Sequence, residues 1–152
     1  MTEGLPATSR RRLSDEPQWR QWGALWCLPS PLGSERGLIE FIGGSYLAAT
    51  PQQSYRRLLE ALATCGWRIH AWSYVPGFDH QLQANEAWRL FRQERQGWLE
   101  ALTRDAQAGR SASGSTRGSR AGFGDGAAVL RLGHSLGCKL HLLAPDGGRG
   151  CG

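Results

Sequence analysis

The tightest constraint on this chain is its alternation of short apolar runs with amphipathic stretches, punctuated by glycine. Residues 38–42 (LIEFI) form one such run and are followed at once by Gly43, Gly44 and Ser45. Pro51 then opens a stretch with apolar side chains at Tyr55, Leu58, Leu59, Leu62 and Ala63. Offsets of three and four make one helical face, proline suits a first turn, and Gly66 is placed to end the helix. Residues 67–75 (WRIHAWSYV) read as a further strand, rich in aromatic and branched residues and closed by Pro76 and Gly77. Asp79 can cap a helix over residues 83–102, whose stripe is Ala87, Leu90, Phe91, Trp98, Leu99 and Leu102. A helix joining two strands is a crossover, which favours parallel neighbours and a right-handed connection.

The flanking segments extend this pattern. Residues 22–28 (WGALWCL) and 37–42 (GLIEFI) read as two strands separated by Pro29, Ser30, Pro31 and Gly33. Residues 105–126 turn to Gly, Ser, Arg and Ala with Phe123 as the one large apolar side chain. Burial there cannot offset the ordering entropy, so a flexible loop is expected. Residues 127–132 form a short apolar run, 133–137 a turn, and 138–144 an apolar helix. Residues 1–18 read as a disordered tail and 145–152 as an unstructured one. The expectation is one α/β domain over residues 19–144, a three-layer fold with a mostly parallel sheet; 152 residues suffice for its core.

Charge and cysteine usage exclude several functions. The net charge of +5 and pI near 9.5 invite a nucleic-acid reading. The excess is spread, however: +1 over residues 1–37 (5 minus 4), +1 over 38–104 (7 minus 6), +1 over 105–126 (3 minus 2) and +2 over 127–152 (3 minus 1). Only Arg10, Arg11 and Arg12 form a run, and a short terminal run is usually solvated, so nucleic-acid binding is disfavoured. No stretch approaches the ~18 apolar residues of a membrane span, and the N-terminus has no apolar segment of secretory type. A cytoplasmic protein is expected. An Arg- and Ser-containing leader is also a feature of plastid transit peptides, but Glu3, Asp15 and Glu16 oppose that reading. Cys27, Cys65, Cys138 and Cys151 are scattered without a CxxC pair, so neither a disulfide framework nor a zinc ribbon is expected. No motif asks for a cofactor.

The sharpest chemical motif is Gly133-His134-Ser135-Leu136-Gly137, a G-x-S-x-G pentapeptide between an apolar run and an apolar helix. That setting is the one a nucleophile elbow requires, with glycine on either side because the turn is too tight for side chains there. Ser135 is then the nucleophile. The N–H of Leu136 and one from Gly44 or Ser45 are the candidate oxyanion donors, since backbone N–H groups at the end of an earlier strand complete such a hole.

The residues at 38–67 (LIEFIGGSYLAATPQQSYRRLLEALATCGW), the triplet Phe78-Asp79-His80 and residues 132–143 (LGHSLGCKLHLL) together resemble an α/β-hydrolase-like family, a domain of unknown function from photosynthetic bacteria and plastids. The resemblance covers about residues 22–143. It implies an α/β-hydrolase fold with Ser135 as nucleophile, and hence an acyl substrate, an ester or thioester, in full-length relatives.

The departures concern the rest of a triad. In α/β-hydrolases the acid and the histidine follow the nucleophile on later strands, yet only 17 residues follow Ser135. The expectation is a chain truncated or frame-shifted at its C-terminus and inactive alone. Among earlier histidines, His80 follows a strand and can reach the crevice, but Asp79 beside it suits a helix cap better than an orienting acid. His134 is expected to line the elbow, and His70 to be structural. His134, Cys138 and His141 recur at helical offsets, yet no carboxylate completes a zinc site, and a metal is not expected. Arg131 interrupts the run at 129–132, which requires an exposed edge or a carboxylate partner. The alternatives to an acyl-transfer enzyme are a non-catalytic binding module or fragment and, last, a nucleic-acid binder using the Arg-rich tail and loop. Oligomeric state is open.

Overall fold

The computed structural model describes residues 18–32, 35–112 and 128–144. The apolar runs become strands β1 (Arg20–Trp22), β2 (Leu25–Leu28), β3 (Gly37–Ile42), β4 (Trp67–Trp72) and β5 (Ala128–Gly133). The helices are α1 (Pro51–Ser54), α2 (Arg56–Thr64), α3 (His80–Ala112) and α4 (Leu136–Leu143). The strands form one sheet in the order β1-β2-β4-β3-β5.

The sheet is mixed, which corrects the expectation of a mostly parallel one. β3 pairs in parallel with β4 and with β5, whereas β1 with β2 and β2 with β4 are antiparallel. The reason lies in connection length. What reads as one strand over residues 22–28 folds back at Gly23 and Ala24, with Gly23 at φ 57°, and a two-residue turn permits only an antiparallel hairpin. The two helical crossovers, β3 to β4 and β4 to β5, produce the parallel part.

Alternation along each strand sorts its side chains onto two faces. Ile39 and Phe41 of β3 with Ile69 and Ala71 of β4 pack against Leu59 and Ala63 of α2. On the opposite face Ile42, Trp72, Leu25 and Cys27 meet Ala84, Ala87 and Phe91 of α3 and Leu140 of α4. The result is a three-layer α/β arrangement, and all six residues of β3 are buried because it lies between two strands and two helical layers.

A polar row crosses the second face at one register level. Arg20 pairs with Cys27, Cys27 with His70, His70 with Glu40 and Glu40 with Arg131. Glu40 is 2% exposed and draws Arg95 of α3 to 3.6 Å and Arg131 to 4.0 Å. The carboxylate partner that Arg131 required is therefore Glu40, and β5 is also the edge strand among the described residues. Burial raises the Glu40 pKa above the usual carboxylate range against the pull of the two arginines. His70, 1% exposed, is pushed down to about 3 by the same desolvation and by Arg68, whose Nε donates to His70 Nε2 at 3.2 Å. His70 thus stays neutral, as a structural residue must in such a place.

Several boundaries move. The helix expected from Pro51 breaks at Tyr55 (φ −115°, ψ 17°) into α1 and α2. β4 ends at Trp72: the Ser73 N–H still meets the Ala24 carbonyl (2.8 Å) in line with the β2 pairing, and the Tyr74 N–H then turns to the Ala48 carbonyl (3.2 Å). α3 starts at His80, with the Leu82 N–H bonded to the Asp79 carboxylate at 2.8 Å, the cap expected of that residue. It runs on to Ala112, so the first eight residues of the expected loop are helical. Extending a formed helix adds one hydrogen bond per residue ordered and needs no burial, which offsets the ordering entropy of these eight residues. The remainder of that loop, and both expected tails apart from Gln18, lie outside the described residues. Among the described residues no helix is long and apolar enough to cross a membrane.

Candidate functional site

The two crossovers leave β3 and β5 side by side with their following helices on opposite faces, α2 on one and α4 on the other. The loops after these strands leave the sheet at its carboxyl edge, the place where open α/β sheets bind their ligands. Residues 43–45 and residues 134–136 meet there.

β5 ends at Gly133, and α4 begins at Leu136, two residues earlier than the sequence pattern suggests, so Gly137 lies within the helix rather than in the turn. The whole reversal falls on His134 and Ser135. The His134 N–H still bonds the Ile42 carbonyl at 3.1 Å, extending the β3–β5 ladder, and the Cys138 N–H already bonds the Ser135 carbonyl at 3.1 Å. Ser135 absorbs the turn at φ 54° and ψ −117°, the one non-glycine with positive φ among the described residues. A non-glycine in such a region costs on the order of 1–3 kcal/mol and persists only where the surroundings enforce it.

The surroundings here are steric. A Cβ on Gly133 would lie 2.6 Å from the Cys138 nitrogen. A Cβ on Gly137 would fall onto the Ile42 carbonyl and lie 3.0 Å from that of Gly43. Both contacts are with backbone, which cannot yield by rotating, so the two glycines let strand, turn and helix close up beneath Ser135. Gly44 approaches from the other loop: a Cβ there would be 2.9 Å from His134 Nδ1 and 3.2 Å from the Ser135 Cβ.

Tyr55 ties the two loops together. Its hydroxyl accepts a hydrogen bond from the Gly44 N–H at 2.9 Å and lies 2.8 Å from His134 Nδ1. Its ring packs edge-on against Phe41 (centroids 4.7 Å apart) and against His134 (5.7 Å). Tyr55 thus packs with Leu59 and Ala63 of the α2 stripe while its hydroxyl reaches a partner 79 residues away. Nothing local marks this role, and in the sequence Tyr55 is one more apolar position of a helical face. Tyr74 adds a second anchor, its hydroxyl donating to the Gly43 carbonyl at 3.0 Å.

The candidate oxyanion donors separate on this geometry. The Gly44 N–H is committed to Tyr55. The Leu136 N–H is the first of α4 and belongs to the N-terminal set that has no acceptor within its own helix. Ser45 follows Gly44 at the start of the 45–49 turn and is half-buried.

Each of the four histidines has an environment of its own. His70 is sealed in the sheet beside Arg68. His141 lies on α4 with Nε2 3.1 Å from the Leu132 carbonyl and its ring stacked on Phe91, and burial lowers it to about 4. His80 has Nδ1 3.0 Å from Lys139 Nζ, and His134 is bonded to Tyr55. His134 and His141 therefore direct ring nitrogens to different partners and do not converge with Cys138 on a metal. No group of three or more His, Cys, Asp or Glu suited to a metal occurs among the described residues. Cys27 is buried and its thiol is raised to about 11 by desolvation, whereas Cys65 and Cys138 are exposed.

Comparison with curated proteins and with solved structures returned no significant match. A family model described as "Protein of unknown function (DUF1350)" matches residues 18–146. That span takes in every described strand and helix, and by it the chain belongs to this family of proteins of unknown function.

Proposed function

We propose that this chain carries the nucleophile and oxyanion parts of an α/β-hydrolase-type acyl-transfer site, acting on an ester or thioester. The observation that carries the reading is the backbone of Ser135: a serine at φ 54° between a parallel strand and a helix, with no room for a Cβ at Gly133 or Gly137. An elbow of this kind lifts a hydroxyl clear of the sheet. The strand order, with an antiparallel hairpin at one edge and the Ser-bearing strand beside β3, suits that fold.

In the proposed step the Ser135 Oγ bonds to the acyl carbon while its proton passes to a base. The carbonyl oxygen, now negative, is held by backbone donors. The bond to the leaving oxygen or sulfur then breaks, and that atom takes the proton from the base. Water repeats the sequence to release the acid. Leu136 supplies one N–H and Ser45 the second, with Gly44 placed against Ser135 as the wall that Tyr55 holds.

The base is the missing part. His70 and His141 are lowered in pKa by burial, His80 and His134 direct Nδ1 to Lys139 and Tyr55, and among the described residues no histidine bonds the Ser135 hydroxyl; a site without its base loses ~10⁴-fold in rate. The same placement favours the second reading, a binding module that retains the crevice without turnover. Exposure of the folded chain to a fluorophosphonate, with Ser135→Ala as the blank, separates the two. Adduct formation at Ser135 supports the acyl-transfer reading. A folded protein that stays unlabelled over hours at millimolar probe leaves only the binding module.

A further inference from the structure

We infer that His134 is a pH-sensitive positioning residue of the Ser135 site: its neutral ring accepts the Tyr55 hydroxyl, Tyr55 thereby holds the Gly44 loop against Ser135, and protonation of the ring releases that loop. This rests on the reading of Ser135 as nucleophile and adds the regulation of the same site. What carries it is a hydrogen-bond chain with a fixed direction. The Gly44 N–H donates to the Tyr55 oxygen at 2.9 Å, so the proton of that hydroxyl is left to donate. Among the described residues the hydroxyl has one further partner, His134 Nδ1 at 2.8 Å. His134 is then neutral, with Nδ1 bare and its proton on Nε2.

A protonated ring reverses the chain. Nδ1 then carries a proton aimed at the same oxygen, and the Tyr55 proton must turn to the oxygen's other side, where it faces the Gly44 N–H. Two donors cannot share that position. The imidazolium bond is charge-assisted and about twice as strong as a neutral one, so the Gly44 N–H gives way. Tyr55 cannot follow, because its ring is packed edge-on to Phe41 and against the cluster with Leu59 and Ala63. Gly44 lies directly on the pair: a Cβ there would be 2.9 Å from His134 Nδ1 and 3.2 Å from the Ser135 Cβ. Its release therefore moves Ser45, the proposed second oxyanion donor, away from Ser135.

No other charge takes over the role of the hydroxyl. The ion pairs among the described residues join Arg56 to Glu60, Arg68 to Glu35, and Arg95 and Arg131 to Glu40, and none involves His134. The other titratable groups at this edge are turned elsewhere. Tyr74, after β4, donates to the Gly43 carbonyl at 3.0 Å, and Lys139 of α4 meets His80 of α3 at 3.0 Å. Cys138 of α4 is exposed. Imidazole is the side chain whose ordinary titration falls between about pH 5 and about pH 8, and the device operates in that range.

The test follows hydrogen exchange of the Gly44 amide by nuclear magnetic resonance in the folded, isotope-labelled chain, corrected for the intrinsic rate, and reads the ring nitrogens of His134 in the same sample. At the alkaline end His134 should carry its proton on Nε2. Between about pH 8 and about pH 5 the protection of Gly44 should fall about tenfold, the worth of one net hydrogen bond. His134→Asn offers the Tyr55 proton a side-chain oxygen that does not titrate, and should keep Gly44 protected throughout. Tyr55→Phe should leave Gly44 unprotected at both ends of the range. The Ile69 amide, on the buried strand β4, reads global opening. A proton on Nδ1 at the alkaline end, a fall at Gly44 no larger than that at Ile69, or the same fall in His134→Asn overturns the inference. Fluorophosphonate labelling of Ser135 is scored separately: a pH-dependent Gly44 without labelling at any pH keeps the device and removes the nucleophile, and labelling with a flat Gly44 does the reverse.

Discussion

Gly137→Ala isolates the packing that enforces the Ser135 turn. Intrinsic helix propensity alone expects Ala in α4 to be better than Gly by about 0.8–1 kcal/mol. The structure reverses that sign. The new methyl would fall onto the Ile42 carbonyl, 2.6 Å from its carbon and 3.0 Å from the Gly43 oxygen. Ordinary contact begins near 3.5 Å, so α4 would have to withdraw from β3 by roughly 1 Å, and a gap of that size forfeits a quarter to a half of the dispersion well of each contact. Leu140, fully buried on the same helix, would lose its fit to the cluster with Trp72 and Phe91. Overpacking of this kind costs about 3 kcal/mol. With an m-value of about 2 kcal/mol per molar urea, the midpoint should fall by about 1.5 M.

Gly97→Ala is the matched control. It sits in the interior of α3, exposed, with nothing within 4 Å of a Cβ. There propensity acts without opposition, and the midpoint should rise by about 0.4 M. Urea unfolding followed by far-UV circular dichroism reads both. Fluorophosphonate labelling at Ser135 should disappear in Gly137→Ala below its transition and persist in Gly97→Ala. A Gly137→Ala chain as stable as the parent would refute the claim that α4 is seated on β3 through this glycine.

Three further outcomes follow from the polar contacts. Tyr55→Phe strips the acceptor from the Gly44 N–H and the partner from His134, and should lower stability by about 2 kcal/mol and slow labelling of Ser135. Unchanged labelling in a folded variant would show that Tyr55 does not hold the two loops. Glu40 has a raised folded pKa, so it contributes most below its unfolded pKa, and that contribution is lost as pH rises through the folded value. Glu40→Gln should therefore gain stability at pH 7 relative to the parent and lose this gain in acid; a variant weaker than the parent at pH 7 would mean that Arg95 and Arg131 outweigh desolvation. His70, depressed from 6.5 to about 3, has the opposite sign: its contribution is complete above 6.5 and is lost as pH falls towards 3, with a slope of up to about 1.4 kcal/mol per pH unit. His70→Gln should flatten the urea midpoint between pH 6.5 and 4, and an unaltered slope there would count against a neutral His70.

Most of the strands and helices were legible in the residues, since their signals are local. The stripe at Leu59 and Ala63, the apolar run of β3 and the Asp79 cap each act within a few positions of chain. So does the pentapeptide around Ser135. The hairpin turn at Gly23 is marked only by a single glycine inside an apolar run, and it sets the antiparallel edge of the sheet. α3 is longer than the Gly/Ser/Arg composition of residues 105–126 suggests, because the first eight of them only have to prolong a helix.

The pairings across the fold had no such signal, apart from one. A lone Glu in GLIEFI and a lone Arg in AVLRLG are opposite charges in two strands otherwise free of charge, and a parallel register of those strands brings them level. Tyr55 could not be found this way. Its partners are a backbone N–H 11 residues away and a histidine 79 residues away, and only the meeting of β3 and β5 brings them together. Hydrophobic period and turn chemistry act along the chain and fix which segments are strand, helix or turn. Hydrogen bonds and steric exclusion act through space. For that reason the motif names Ser135, while the strain on its backbone and the tie of His134 to Gly44 through Tyr55 belong to the tertiary structure.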